Sequence, residues 1–132
     1  MRRSILSGAP WESKVGYARA VVSGAFVFVA GTVGRDPVTG VLPDDVEGQC
    51  ANALAIIKTA LLEGGAGFAD VVRVTYYLPH RADFGPCWPQ LRAAFGANPP
   101  ASTVVFADLI DPAMRIEIEV TAMRDVGDSL PG

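Results

Sequence analysis

The chain has 132 residues, half of them hydrophobic and 19% charged, a balance too apolar for a disordered tail or a low-complexity linker. Its formal net charge of -3 comes without a basic stripe, which argues against a nucleic-acid partner. One histidine, His80, and two cysteines far apart in the chain, Cys50 and Cys87, provide neither a zinc ligand set nor a disulfide framework.

In chain order, a short strand is expected near Ser4 to Ser7. Tyr17 to Ser23 reads as a strand, and Gly24-Ala25 as a tight turn into Phe26 to Ala30. Phe26-Val27-Phe28-Val29 is apolar at every position, so this strand is expected to be buried on both sides. Gly31 to Pro43 is a loop punctuated by Asp36-Pro37 and Thr39-Gly40. Asp44 stands three residues before Glu47, a capping-box spacing. Val46, Cys50, Leu54, Ile57 and Leu61 then follow at helical spacing. Gly64-Gly65 supplies the stop, which predicts an amphipathic helix from about 45 to 63.

Val71 to Leu78 is the next strand, with Val72, Val74, Tyr76 and Leu78 on one face and Arg73, Thr75 and Tyr77 on the other. A second helix starts irregularly near Asp83, where Pro86 and Pro89 fit only a first turn, and ends at Phe95-Gly96. Asn98-Pro99-Pro100 precedes a strand at Ser102 to Ala107. Met114 to Ala122 alternates cleanly, with Ile116, Ile118 and Val120 against Arg115, Glu117, Glu119 and Thr121. A single domain is expected over 1–126, with a frayed tail at 127–132.

Two helices cover only one face of such a sheet. Mean hydropathy is +0.30, more apolar content than a small domain readily hides. The second face is therefore expected to meet another copy of the chain, with ligand clefts between subunits. No run approaches the roughly 20 apolar residues of a membrane span. The apolar stretch after Arg2-Arg3 is too short for a signal peptide. A cytoplasmic location without a membrane partner is the resulting expectation.

Glu117 and Glu119 share one strand face about 6.6 Å apart. Paired carboxylates at a dry interface raise one pKa and can act as acid, base or water holder. An ordinary polar strand face, with Arg115 paired to Glu117, is the competing reading. Tyr17 follows Gly16 at a strand start, where its hydroxyl reaches either into a cleft or into bulk water. Gly31 ends the apolar run and either lets a ligand approach the backbone or simply makes a turn. His80 has no Ser or Cys partner in a triad-like pattern. Gly64-Gly65-Ala66-Gly67 lacks the Lys and Ser/Thr of a phosphate loop. Trp11 and Trp88 lack the interleaved basic residues of a base-stacking surface.

Several pieces in order resemble the YjgF/Rid family. They are Val15-Gly16-Tyr17-Ala18-Arg19-Ala20-Val21, Phe28-Val29-Ala30-Gly31, Asp36-Pro37-Val38-Thr39-Gly40, Asp70-Val71-Val72-Arg73-Val74-Thr75, Pro100-Ala101-Ser102-Thr103-Val104 and Ile116-Glu117-Ile118-Glu119-Val120. Together they span about residues 8 to 124. The resemblance implies an α+β, chorismate-mutase-like fold: a mixed, mainly antiparallel six-stranded sheet with two helices on one face. It also implies a homotrimer with three small-molecule clefts and hydrolysis of reactive enamines and imines without metal or cofactor. By the same resemblance Glu117 positions water, Tyr17 is the site tyrosine, and the backbone at Gly31 contacts ligand. Ala101, Ser102 and Thr103 lie in the ligand-binding segment. The active deaminases carry at the position of Ala101 an arginine that clamps the substrate carboxylate, and many relatives have serine at the position of Ala30. Alanine offers neither charge nor donor; Arg115, foremost, and Arg35 and Arg19 are the cations available to replace the clamp. A non-catalytic ligand- or partner-binding role and an RNA-cleaving, translation-inhibiting role are the alternatives.

Overall fold

A computed structural model describes residues 2–125. The expected turn at Gly24-Ala25 forms, and Gly24 takes the left-handed φ of 59° that such a turn requires. It joins β2 (Ala20–Ser23) to β3 (Phe26–Val33). The short N-terminal strand β1 covers Arg2–Ile5 and pairs with β2. Between them lies α1, Pro10–Val15, which has too few residues to show a helical period. The strand read from Tyr17 begins only at Ala20.

The long helix α2 runs Val46–Glu63. Its cap is Asp45 rather than Asp44: the Asp45 carboxylate accepts from the Gly48 N–H at 3.0 Å. Gly65, with φ of 81°, turns the chain out of the helix. Next, β4 spans Val71–Leu78 as read. The irregular opening of the second long-range helix resolves into two 3-10 turns, Arg81–Asp83 and Gly85–Cys87, before α3 at Trp88–Phe95. The last strands are β5 (Ala101–Phe106) and β6 (Glu117–Met123).

The six strands form one sheet in the order β1-β2-β3-β6-β4-β5. Only β4–β5 is parallel; the other pairs are antiparallel. This is the expected α+β, mainly antiparallel architecture. Val27, Val29, Val74, Leu78, Ile118 and Val120 point to one face, beneath α2 and α3, with Leu61 and Ile57 above them. Each such fully buried aliphatic side chain contributes roughly 1.5–3 kcal/mol. Cys50 and Cys87, remote in sequence, both enter this core as free thiols. Their mutual hydrogen bond and burial push the Cys50 thiol up.

The opposite face departs from expectation. Phe26 and Phe28 are stacked with ring centroids 5.8 Å apart, yet they remain 40% and 46% exposed. Among the described residues, β3 is thus buried on one side only. Val72 is also exposed, because a register irregularity between Val71 and Arg73 removes it from the alternation. Among the described residues no helix is long and apolar enough to cross a membrane. The expected frayed tail lies outside the described residues.

Where β3 ends, the chain passes under α2. A Cβ on Gly34 would sit 1.9 Å from the Gln49 carbonyl oxygen and 2.4 Å from its Cα. Only glycine fits this backbone-to-backbone approach. Gln49 itself is fully buried; its amide donates to the carbonyls of Pro43 and Ala113 and accepts from the Arg115 N–H. We expect Gly34→Ala to lower stability by about 3 kcal/mol or more, since backbone cannot yield as a side chain does. Gly67→Ala, where a Cβ meets nothing within 4 Å, should stay within about 0.5 kcal/mol. Urea denaturation of both variants checks the contrast.

Candidate active site

The left-handed Gly16, with φ of 93°, ends α1, and the Gly16 and Tyr17 N–H groups both donate to the Glu12 carbonyl at 2.9 Å. Glu12 is buried and its carboxylate accepts from the Ser7 N–H and hydroxyl. This small knot holds Tyr17 at the mouth of β2. Two residues on, the Arg19 N–H donates to Ile5 and its carbonyl accepts from Ala30. The Arg19 guanidinium then reaches over the Tyr17 ring, 5.5 Å from its centroid, and donates to the Gly31 carbonyl at 2.9 Å.

Gly31 lies where β3 changes register against β6, between Val29 and Thr32. The absent side chain is occupied by Glu117: a Cβ on Gly31 would stand 2.9 Å from Glu117 Oε2. The structure therefore brings Tyr17, Arg19, Gly31 and Glu117 together, joining two glycine- and tyrosine-based expectations to the carboxylate. Arg19 is the member that strand alternation did not single out, and its partner Gly31 is adjacent only through the bulge.

Glu117 is half-buried. Its pKa is raised above the ordinary carboxylate value, chiefly by burial and secondly by the Glu119 charge, while Arg19 opposes both. Glu119 accepts from the Tyr77 hydroxyl at 2.8 Å, and that bond raises the Tyr77 pKa. The two carboxylates thus differ in kind: Glu119 has a fixed donor, whereas Glu117 sits over bare backbone. A carboxylate with a raised pKa and an open lone pair can hold a water and take its proton.

The remaining expected residues lie elsewhere. Arg115 does not pair with Glu117. Residues 114–116 precede the β6 ladder, held by the Gln49 and Asp111 bonds. The Arg115 guanidinium grips Asp83 through two bonds, at 2.7 and 3.0 Å, and donates to the Asp44 carbonyl. With its donors committed there, it is a brace between loops rather than a ligand clamp. Arg35 donates to the Gly40 carbonyl at 3.4 Å, within its own turn. Ala101 and Thr103 pair with Arg73 and Thr75 on the open sheet face, whereas Ser102 pairs with Val74, whose side chain faces the helices. Glu117 pairs with Tyr77, and Tyr77 with Val105. Ala101 is therefore four positions from the row of Glu117, about 13 Å along the strands.

Because the folded chain holds Glu117 above its ordinary value, it retains that proton where the unfolded chain has lost it. Stability therefore falls as pH rises from the ordinary carboxylate range through the folded-state value. Glu119→Gln should lower the Glu117 pKa and Arg19→Gln should raise it further. Carboxyl-carbon NMR titration of Glu117 checks both signs.

The model of the endoribonuclease L-PSP family matches residues 8–124. The fold is that of Rv2704 from Mycobacterium tuberculosis, a member of the YjgF/YER057c/UK114 family. The two chains are 37% identical, with a TM-score of 0.85 over 93% of this chain and 99% of that one. The YjgF gene product of Escherichia coli is 27% identical, with a TM-score of 0.81 over 92% and 98%. A 2-iminobutanoate/2-iminopropanoate deaminase of Rattus norvegicus is 30% identical over 92% of this chain and 90% of its own length. A RutC family protein of Pyrococcus abyssi is 34% identical over 83% and 87%. With a family model covering nearly the whole chain and the same fold in its relatives, this protein belongs to the endoribonuclease L-PSP family, the YjgF/Rid group its motifs resemble.

Proposed function

We propose that this protein is an imine and enamine hydrolase of the Rid type, working as a homotrimer with its clefts between subunits. The observation that carries the reading is the half-buried Glu117 carboxylate lying over Gly31 with its pKa raised. In the reaction an imine carbon is attacked by water. Glu117 takes one proton from that water as the C–O bond forms, and the C=N electron pair moves to nitrogen. Returning that proton to nitrogen gives the carbinolamine; transfer of its hydroxyl proton to nitrogen through the same carboxylate then breaks the C–N bond, so imine plus water becomes ketone plus ammonia. Tyr17 and the backbone around Gly31 steady the substrate, and Arg19 sets both in place. The relatives named as deaminases at about 30% identity support this class of reaction.

The bare face supports an assembly of copies. Phe26, Phe28 and Met123 are exposed there side by side, an apolar patch of the kind that marks an interface. Ala101 and Glu117, at opposite ends of the strand array, form one site only if different copies contribute them. Closed symmetry provides that arrangement. An endoribonuclease role is not carried over from the family's description, because a net charge of -3 gives RNA no attractive field. Ala101 alone favours the second reading, a binder without turnover; a ligand that raises the Tm while imine decay stays at the buffer rate would select it.

Generating 2-iminopropanoate in situ and following its decay tests the activity. Wild type should outpace buffer, and Glu117→Gln should lose roughly 10²- to 10⁴-fold, the range of a general base. Decay at the buffer rate with wild type overturns the reading. Sedimentation should give three times the 13.9 kDa chain mass, and Phe28→Glu should shift it to monomer, since a charge buried at that contact is unpaired.

A further inference from the structure

Glu12 is 4% exposed, and among the described residues its carboxylate makes no ion pair. A buried charge without a cation costs stability unless hydrogen bonds offset it. Its oxygens accept from the Ser7 N–H, at 2.9 Å, and from the Ser7 hydroxyl. Ser7 is itself exposed, so water could serve both of these donors. Stability therefore gives little reason for a carboxylate here. The course of the chain gives a better one. The six residues of α1 are too few to hold a helix by themselves. Glu12 fastens both ends: its carboxylate holds Ser7 ahead of the helix, and its carbonyl takes the Gly16 and Tyr17 N–H groups behind it. The Tyr17 ring needs such an anchor, because packing does not hold it. It is 36% exposed and borders two cavities, one of about 430 Å³ on the open sheet face and one of about 220 Å³ against Leu6, Pro10 and Glu12. A ring so placed goes where its backbone directs it.

We propose that Glu12 is a positioning residue of the candidate site: with Ser7 it closes the segment ahead of β2, and that closure sets the Tyr17 ring against Arg19. Glu12 touches no reacting atom. Its carboxylate fixes where α1 lies, its carbonyl fixes the Tyr17 N–H, and the ring then meets the Arg19 guanidinium at 5.5 Å. Arg19 in turn holds the Gly31 carbonyl at 2.9 Å, so an error at Glu12 passes to the backbone over which Glu117 lies. A misplacement of about 1 Å that starts away from the chemistry can cost roughly 10²-fold in rate. The catalytic consequence rests on the hydrolase reading and its role for Tyr17; the placement of the ring does not.

Two substitutions in the full-length protein separate placement from stability. Glu12→Gln keeps the shape and both bonds, since its amide can accept from the Ser7 N–H and donate to the hydroxyl oxygen. Glu12→Met keeps the bulk and removes both bonds. Because it also removes a buried charge, Glu12→Met should melt within about 5 °C of wild type. In NMR of protein with labelled tyrosine rings, the Tyr17–Arg19 contact should persist in Glu12→Gln and be lost in Glu12→Met. Ser7→Ala, at an exposed position, should weaken that contact with the melt unchanged. In turnover of 2-iminobutanoate, Glu12→Met should lower kcat/KM about tenfold or more, with Glu12→Gln within about twofold of wild type. In a Tyr17→Ala background Glu12→Met should cost less than about twofold, because the ring it places is gone. An intact ring contact in folded Glu12→Met overturns the proposal, as does an equal cost with and without Tyr17. A Glu12→Met chain that fails to fold also overturns it, since the carboxylate is then structural. If wild type leaves imine untouched while the contact follows Glu12 as expected, the hydrolase reading falls alone. Imine turnover with a ring contact indifferent to Glu12 and Ser7 sinks the positioning role alone.

Discussion

An apolar sheet face needs a cover, and the described residues cover one face of this sheet. The helices α2 and α3 bury Val27, Val29, Val74, Ile118 and Val120 beneath them, and none of the described residues does the same for Phe26 and Phe28. The bare face is not simply greasy. It carries aromatic residues toward the β2–β3 hairpin, and threonines, Arg73, Glu119, Tyr77 and Glu117 in successive rows beyond. Closing that face with other copies would hide the aromatic end while lining clefts with the polar rows. The same act that completes the core would then complete the site.

Within that frame the local chemistry depends on one missing side chain. Gly31 gives the Glu117 carboxylate somewhere to lie, and the register change in β3 presents the Gly31 carbonyl to Arg19. Burial and Glu119 push Glu117 toward its neutral form while Arg19 pulls it back. Arg115, by contrast, serves the scaffold: with Asp83 and Gln49 it ties the chain entering β6 to α2 and to the turn before α3.

Long periodic segments were legible from residues alone. Val71 to Leu78 alternates and is a strand over that span, and the apolar spacing from Val46 to Leu61 marks α2. Legibility failed where side chains, rather than periodicity, decide the backbone. Met114 and Ile116 keep the buried parity of β6, but the buried Gln49 amide claims the Arg115 N–H and keeps it out of the ladder. That displacement is why an arginine two positions from Glu117 ends beside Asp83. The helix α1 is too short to show a period. Phe26 to Val29 reads as buried on both faces because sequence cannot distinguish a wall supplied by the same chain from one supplied by another. Of the candidate site, Glu117, Tyr17 and Gly31 were legible as members, and the ordered motifs linked them. Arg19, read in the sequence only as a spare cation for the missing clamp, takes its place beside Gly31 through the β3 bulge.

We propose that one site is divided between copies of this chain, with Glu117 on one wall and Ala101 on the other. Mixed oligomers test it most directly. Glu117→Gln chains lack the base, and Ala101→Trp chains block the facing wall, so each homogeneous preparation should be inactive toward 2-iminopropanoate. Unfolded together in equal amounts and refolded, they should regain about a quarter of wild-type activity, the share of clefts built from one intact wall of each kind. A mixture no more active than its parents, despite exchange of subunits shown by mass spectrometry, would contradict a shared site.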